Sequence, residues 1–406
     1  MWPVSAPLIL PGRQARSAAN DSRILDGVVH RLDAFGWEET SLAQIANFAG
    51  LTHPSVLNRY TDRAHAVVAG WDARLVTPLR EALGACVSVA DAPDSSAGVG
   101  ALLDALTPFA EPDENLRAAA EVLLVSRYEP RLADAVHDTV GADLDTWLTP
   151  IPGQLSASQA ARRGFVIALA LGILIESRRQ PAGQRVDWDY VLRPISAALG
   201  TERDPVPLPP DQAMHLVEPP RFDVDDPALA NLLAATLNVV GHVGYEAATL
   251  KRIAAVAGYS TGIMARRYVS KLSMFLDASE RMLANAGKAN FEFQMRIAEN
   301  TSMAVADTVL TREFMRPGLK ELRNITTEQY RLSWHNEQMR QSVQAAQISV
   351  ADQIREQKPE LGTAQARGIM FIAFARGVGT LLLADLHPGA WELPFDVVAI
   401  PLYEQS

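Results

Sequence analysis

Two stretches of the sequence repeat one arrangement of apolar and polar positions at an offset of 208 residues. Ile24, Leu25, Val29, Leu32 and Phe35 correspond to Leu232, Leu233, Leu237, Val240 and Val243, a spacing that places each set on one face of a helix. Gly36 and Gly244 follow where a helix end takes a left-handed residue. Leu42, Ile45, Ala46 and Ala49 match Leu250, Ile253, Ala254 and Ala257 as a second, short helix. Ser41 and Gln44 have the spacing of a capping box at its start, and Thr249 supplies the cap in the second copy. Gly50 and Gly258 end that helix, and Thr52 and Ser260 can cap a third, which closes at Arg59–Tyr60 and Arg267–Tyr268. The pattern predicts helix, helix, tight glycine turn, helix, twice.

Two short helices with alanines at their crossing and a glycine turn between them form a helix-turn-helix, whose second helix fits the major groove of DNA. Both stretches resemble the DNA-binding domain of the TetR family of transcriptional regulators, over roughly Arg23–Trp71 and Ala230–Asp277. The resemblance implies an all-α protein of two tandem units, each a helix-turn-helix domain followed by a helical ligand-binding domain. The family's tyrosine three residues before the closing aromatic is replaced by Leu57 and Ala265, which implies an altered grip on the phosphate backbone. The basic residue opening the fourth helix is kept as Arg63 and Lys271.

Beyond these segments the periodicity predicts fourth helices over Asp72–Val89 and Leu272–Ile297, with further helices over Glu114–His137 and Leu319–Gln344. Ala160–Ser177 and Ala364–Asp385 are apolar around most of their circumference, and Arg162, Ala168, Ala170 and Gly172 align there with Arg367, Ala373, Ala375 and Gly377. In the TetR family the last two helices pair across a dimer, so the resemblance implies that the two halves pair within one chain as a pseudo-dimer. Association of two chains stays open. The divisions read as an N-terminal arm (1–22), helix-turn-helix domains (23–71 and 227–277), helical domains (72–200 and 278–406) and a proline-rich linker (201–226). At about 3.1 Å per residue that linker can span on the order of 80 Å.

Composition adds little to the fold but bounds the function. The chain has 406 residues, a formal net charge of −10 and 48 % hydrophobic residues, ordinary for a globular protein. The apolar run Phe165–Ile175 falls short of a bilayer span, and the start lacks a signal-peptide pattern, so a cytoplasmic protein without membrane contact is expected. Cys86 is the one cysteine, which excludes a disulfide framework. From Arg23 to Arg63, four arginines face five carboxylates, whereas from Ala228 to Lys271 five cations face Glu246 alone. The second copy has the charge balance of a DNA binder. Arg13 and Arg16 precede the first helix, where an arm could reach the minor groove.

The expected DNA-facing residues are Ser41, Gln44, Thr52, His53, Ser55, Asn58, Arg59, Tyr60 and Arg63, with Thr249, Lys251, Arg252, Ser260, Thr261, Ile263, Arg266, Arg267, Tyr268 and Lys271. Because the two recognition segments differ, the operator is expected to be asymmetric. Methionines other than Met1 begin only at the linker, and Met295, Phe314, Trp334, Met370, Phe371 and Phe374 are the candidates for a small hydrophobic effector, in the second helical domain. No catalytic constellation, metal-ligand spacing or cofactor motif is present: "GVG" at Gly377–Gly379 lies in a helical pattern with no strand before it. An interaction or ligand-sequestering protein with degenerate DNA-binding units is the other class that fits.

Overall fold

The computed structural model describes residues 13–92, 98–179, 186–208, 222 and 224–405. Among these the chain is all-α, with an isolated antiparallel bridge between Ile151 and Leu155. The first half opens with α1 (Arg13–Phe35), α2 (Leu42–Ala49), α3 (His53–Leu57) and α4 (Arg63–Gly70). A π-helical turn (Trp71–Leu75) leads into α5 (Val76–Ala90), followed by α6 (Gly98–Ala110) and α7 (Glu114–Val125). Then come α8 (Pro130–Val136), a second π-helical turn (His137–Gly141), α9 (Ala142–Leu148), α10 (Ala157–Ser177) and α11 (Trp188–Leu199). The second half repeats the order as α12 (Pro227–Ala247), α13 (Leu250–Ala257), α14 (Thr261–Ala265), α15 (Lys271–Ala298) and α16 (Met303–Met315). It finishes with α17 (Lys320–His335), α18 (Glu337–Gln357), α19 (Thr363–Leu386) and α20 (Asp396–Glu404).

Two expectations at the N-terminus need correction. Helix α1 already runs from Arg13, so Arg13 and Arg16 belong to a helix and not to an unstructured arm ending at residue 22. Ten polar or small residues extend the amphipathic segment, and only 1–12 of the expected arm lie outside the described residues. Most of the linker, 209–221 and 223, also lies outside them. Its first turns dock on the second half: Val206 N–H donates to Asp396 at 2.7 Å, and Arg203 pairs with Glu404 at 2.8 Å.

Helices α10 and α19 pack along each other, joined by α11 and α20, so the last two helices of each half meet. Small residues set the contact: a methyl group at Gly172 would overlap the carbonyl of Ala375, and one at Gly379 would overlap that of Ala168. The contact is reciprocal, so Gly172 corresponds to Gly379 and Ala168 to Ala375, an offset of 207. The alignment of Gly172 with Gly377 is therefore two residues out of register; Gly377 faces open space. The apolar-run argument on membranes is also corrected, because α10, α12 and α19 are long and apolar enough to cross a bilayer by length and composition. Within the fold 78 % of the most apolar window of α10 is buried, and α10 lies against α19.

Candidate nucleic-acid interface

Each helix-turn-helix is built from local signals. In the first, Ser41 Oγ accepts from Gln44 N–H at the start of α2, and Gly50 ends the helix at φ 62°. In the second, Thr249 accepts from Arg252 N–H at 3.2 Å and Gly258 ends α13 at φ 74°. Both glycines occupy the left-handed region that side chains with a Cβ avoid. Ile45, Ala46 and Val56 on one side, and Ile253, Ala254 and Met264 on the other, bury the crossing so that α3 and α14 present their remaining faces outward.

On α14 and its neighbours, Lys251, Arg252, Ser260, Thr261 and Arg266 are exposed, and Ile263 is half-buried. The Arg266 backbone N–H donates to the Met264 carbonyl, and its exposed side chain has no hydrogen bond or ion pair among the described residues. Arg267 instead pairs with Asp226 at 2.6 Å, and the Tyr268 hydroxyl donates to Asp277. Lys271 is also engaged: its Nζ donates to the Tyr245 carbonyl at 2.6 Å and sits 4.0 Å from the centre of that ring. Burial lowers its pKa, partly opposed by Glu246.

The first unit ties up more of its cations. His53 on α3 and Asn58 at its C-terminal cap are exposed, and Thr52 and Ser55 bond to each other at 2.8 Å. Arg59 bonds to Asp21 on α1 and to the Ser55 carbonyl, and the half-buried Tyr60 meets His65 edge-on. Arg63 donates to the Trp37 carbonyl at 2.7 Å and lies 3.8 Å over the Trp37 ring, repeating what Lys271 does at Tyr245. Phe48 and Leu57 remain about half exposed, as Val256 and Leu250 do in the second unit.

Residues 232–278 match the family model for bacterial regulatory proteins of the tetR family. The match covers most of α12, all of α13 and α14, and the start of α15. This segment of the chain is thus similar to a tetR-type DNA-binding domain, and Arg266 directly follows its short helix α14. No curated protein matches the chain.

Beneath the tetR-type domain and its counterpart lies a network the sequence reading missed. Glu121 on α7 accepts the Trp37 N–H at 2.8 Å, and Glu328 on α17 accepts the Tyr245 N–H at 2.8 Å. Each carboxylate thereby holds the backbone just after a helix-turn-helix glycine, Gly36 or Gly244, both at φ +75°. Across each glycine packs a ring from the opposite half: a methyl group at Gly36 would come within 2.9 Å of His335, and one at Gly244 within 3.0 Å of Tyr128. Arg331 joins the two sides. Its five N–H groups all reach carboxylates: Nε and one terminal nitrogen serve Glu328, and the terminal nitrogens also serve Glu121 at 2.9 Å and Glu38. Burial pushes the Glu121 carboxyl up, whereas the Arg331 guanidinium, outweighing burial, holds that of Glu38 below the usual range. A cavity of about 160 Å³ adjoins this network between the two helix-turn-helix units, lined by Trp37, Tyr128, Val243, Glu246 and Arg331 among others.

The six effector candidates are not brought together. Phe371 packs edge-on against Trp188 of the first half, Trp334 donates to the Ile175 carbonyl, and Met295 is 43 % exposed. Met370, Phe374 and Phe314 are half-buried at separate positions. None of the six lines the cavity beside Arg331 or a smaller one, with room for about one water, around Asp307 and Arg376. Trp334 and Phe371 belong to the core shared between the halves, with Phe374 packed against it.

Proposed function

We propose that the protein is a transcriptional regulator in which one chain presents two unlike helix-turn-helix units to one asymmetric operator, acting as a cytoplasmic repressor released by a small ligand. The observation that carries this is the combination of a tetR-type domain bearing exposed Lys251, Arg252 and Arg266 with reciprocal packing of α10 on α19 inside the same chain. In this reading Arg266 and Thr261 face one half-site, and His53 and Asn58 the other. Lys271 and Arg63 act on DNA through the turns they hold, more than by reaching phosphate themselves. The effector is a small hydrophobic molecule bound in the second helical domain. It shifts the equilibrium only by binding the non-DNA spacing of the two units more tightly than the DNA-bound one.

Selection from random duplexes at several salt concentrations tests the reading. A regulator enriches a sequence and loses affinity steeply with salt. Failure to enrich any sequence leaves the interaction-protein reading, which the charge balance of the first unit favours.

A further inference from the structure

The equivalence of the two halves exposes where they differ. The pairs Glu121 and Glu328, Tyr128 and His335, and Gly172 and Gly379 all obey the offset of 207. By that offset Arg331 corresponds to Leu124, a residue 1 % exposed on α7. One guanidinium near the pseudo-twofold axis therefore serves carboxylates from both halves. Two first halves paired with each other would bring Glu38 and Glu121 together twice without the guanidinium that bonds to both, leaving Arg178 as the buried cation acting on Glu121, a cost for buried charge.

A second cluster shows the complementary asymmetry. Glu176 and Arg179, at the end of α10, are 2 % and 3 % exposed. Glu176 accepts from Gln347 at 3.0 Å, and Arg179 lies over the ring of Tyr330, both from the second half. Their equivalents on α19 are Leu383 and Leu386, and the equivalent of Tyr330 is Leu123. Polar side chains of the first half thus meet polar side chains of the second. In a pair of first halves, Glu176 and Arg179 would face Leu123; in a pair of second halves, Tyr330 would face Leu383. In either case buried polar groups lose partners: Glu176 and Arg179 keep each other but lose Gln347 and Tyr330, and Tyr330 loses Arg179.

We propose that this interface is built to accept a first half against a second half and to reject the pairing of like with like, with Arg331 as the residue that enforces it. The inference rests on pairing of the halves within the chain and is independent of whether either unit binds DNA. Such an interface disfavours association of two chains through identical halves.

The test uses the full chain with a protease site placed in the linker segment 209–221, cleaved after folding, and native mass spectrometry of the product. The halves are expected to remain as a one-to-one pair. Arg331→Leu should weaken that pair by roughly 100-fold. The double variant Leu124→Arg/Arg331→Leu moves the guanidinium to the equivalent place, where Glu121, Glu246 and Glu328 surround it, and should restore affinity to within about tenfold. A residue needed only for folding of α17 would not be rescued from α7. Unchanged affinity in Arg331→Leu, or a double variant weaker than the single one, overturns the assignment to Arg331. Like-with-like pairs forming from the cleaved wild-type chain would overturn the selectivity itself.

Discussion

Replacing Arg331 by leucine removes a cation whose five N–H groups are all taken by carboxylates, two of which, Glu121 and Glu328, are 0 % and 2 % exposed. The variant must either keep uncompensated buried charge or take up a proton. Glu121 is the first to take it, since burial already pushes its pKa up. Neutralising one glutamate of ordinary pKa about 4.3 costs about 3.7 kcal/mol at pH 7 and about 1 kcal/mol at pH 5, at 1.36 kcal/mol per pH unit. These values bound the loss when one proton suffices, and about 3–5 kcal/mol is usual for a broken buried pair. The sign follows from linkage. A carboxyl whose folded pKa is raised binds more protons folded than unfolded, so it lowers stability above its unfolded pKa and stops doing so as the pH falls through it. The stability gap between wild type and Arg331→Leu should therefore shrink from pH 7 to pH 5, by at most about 2.7 kcal/mol, since the rise of the Glu121 pKa already present in the wild type cancels. Denaturant unfolding of both proteins at the two pH values measures it, and faster amide exchange at Trp37 and Tyr245 in the variant locates it. A gap below about 1 kcal/mol at pH 7, or one that does not change with pH, refutes the reasoning.

Arg266→Ala should cost about 1–3 kcal/mol of operator binding and relax one base position, read by competition among single-base operator variants. Lys271→Ala should weaken all sequences alike and raise amide exchange around Tyr245, whose carbonyl it holds. Gly379→Ala forces α10 and α19 apart at the Ala168 carbonyl and should lower stability by about 1–3 kcal/mol or more, seen in denaturant midpoints. Cys86 is fully buried with its thiol pushed up to about 12 by burial, so thiol reagents should label it only when the protein unfolds.

The helix-turn-helix was legible because its signals are local. Gly36, Gly50 and Gly258 at helix ends, Gly244 at the break within α12, caps at Ser41 and Thr249, and alanines at the crossing all act within a few residues. The pairing of the last helices was legible as a tendency, since small residues on an apolar helix announce close packing. Its register was not, because Gly377 and Gly379 both offer a small residue and only three-dimensional contact distinguishes them. The Arg331 network was missed for a related reason. Within α17 Arg331 stands among polar residues as any solvated face would, and its partners Glu38 and Glu121 lie in the other half. A usable signal was present at Glu121, a lone carboxylate inside the apolar run "AAAEVLLV", together with Glu328 at the equivalent position. Effector residues were sought by composition, and composition does not distinguish a pocket wall from the shared core that Trp334 and Phe371 help to build.

The central claim is that one chain carries a complete reading head of two unlike units. The most direct test is the stoichiometry of the complex between the protein and a duplex chosen by selection, measured by sedimentation together with footprinting. The account predicts one chain per duplex and two dissimilar half-sites about one helical turn apart, roughly 34–36 Å. Two chains bound symmetrically to a palindrome would contradict it.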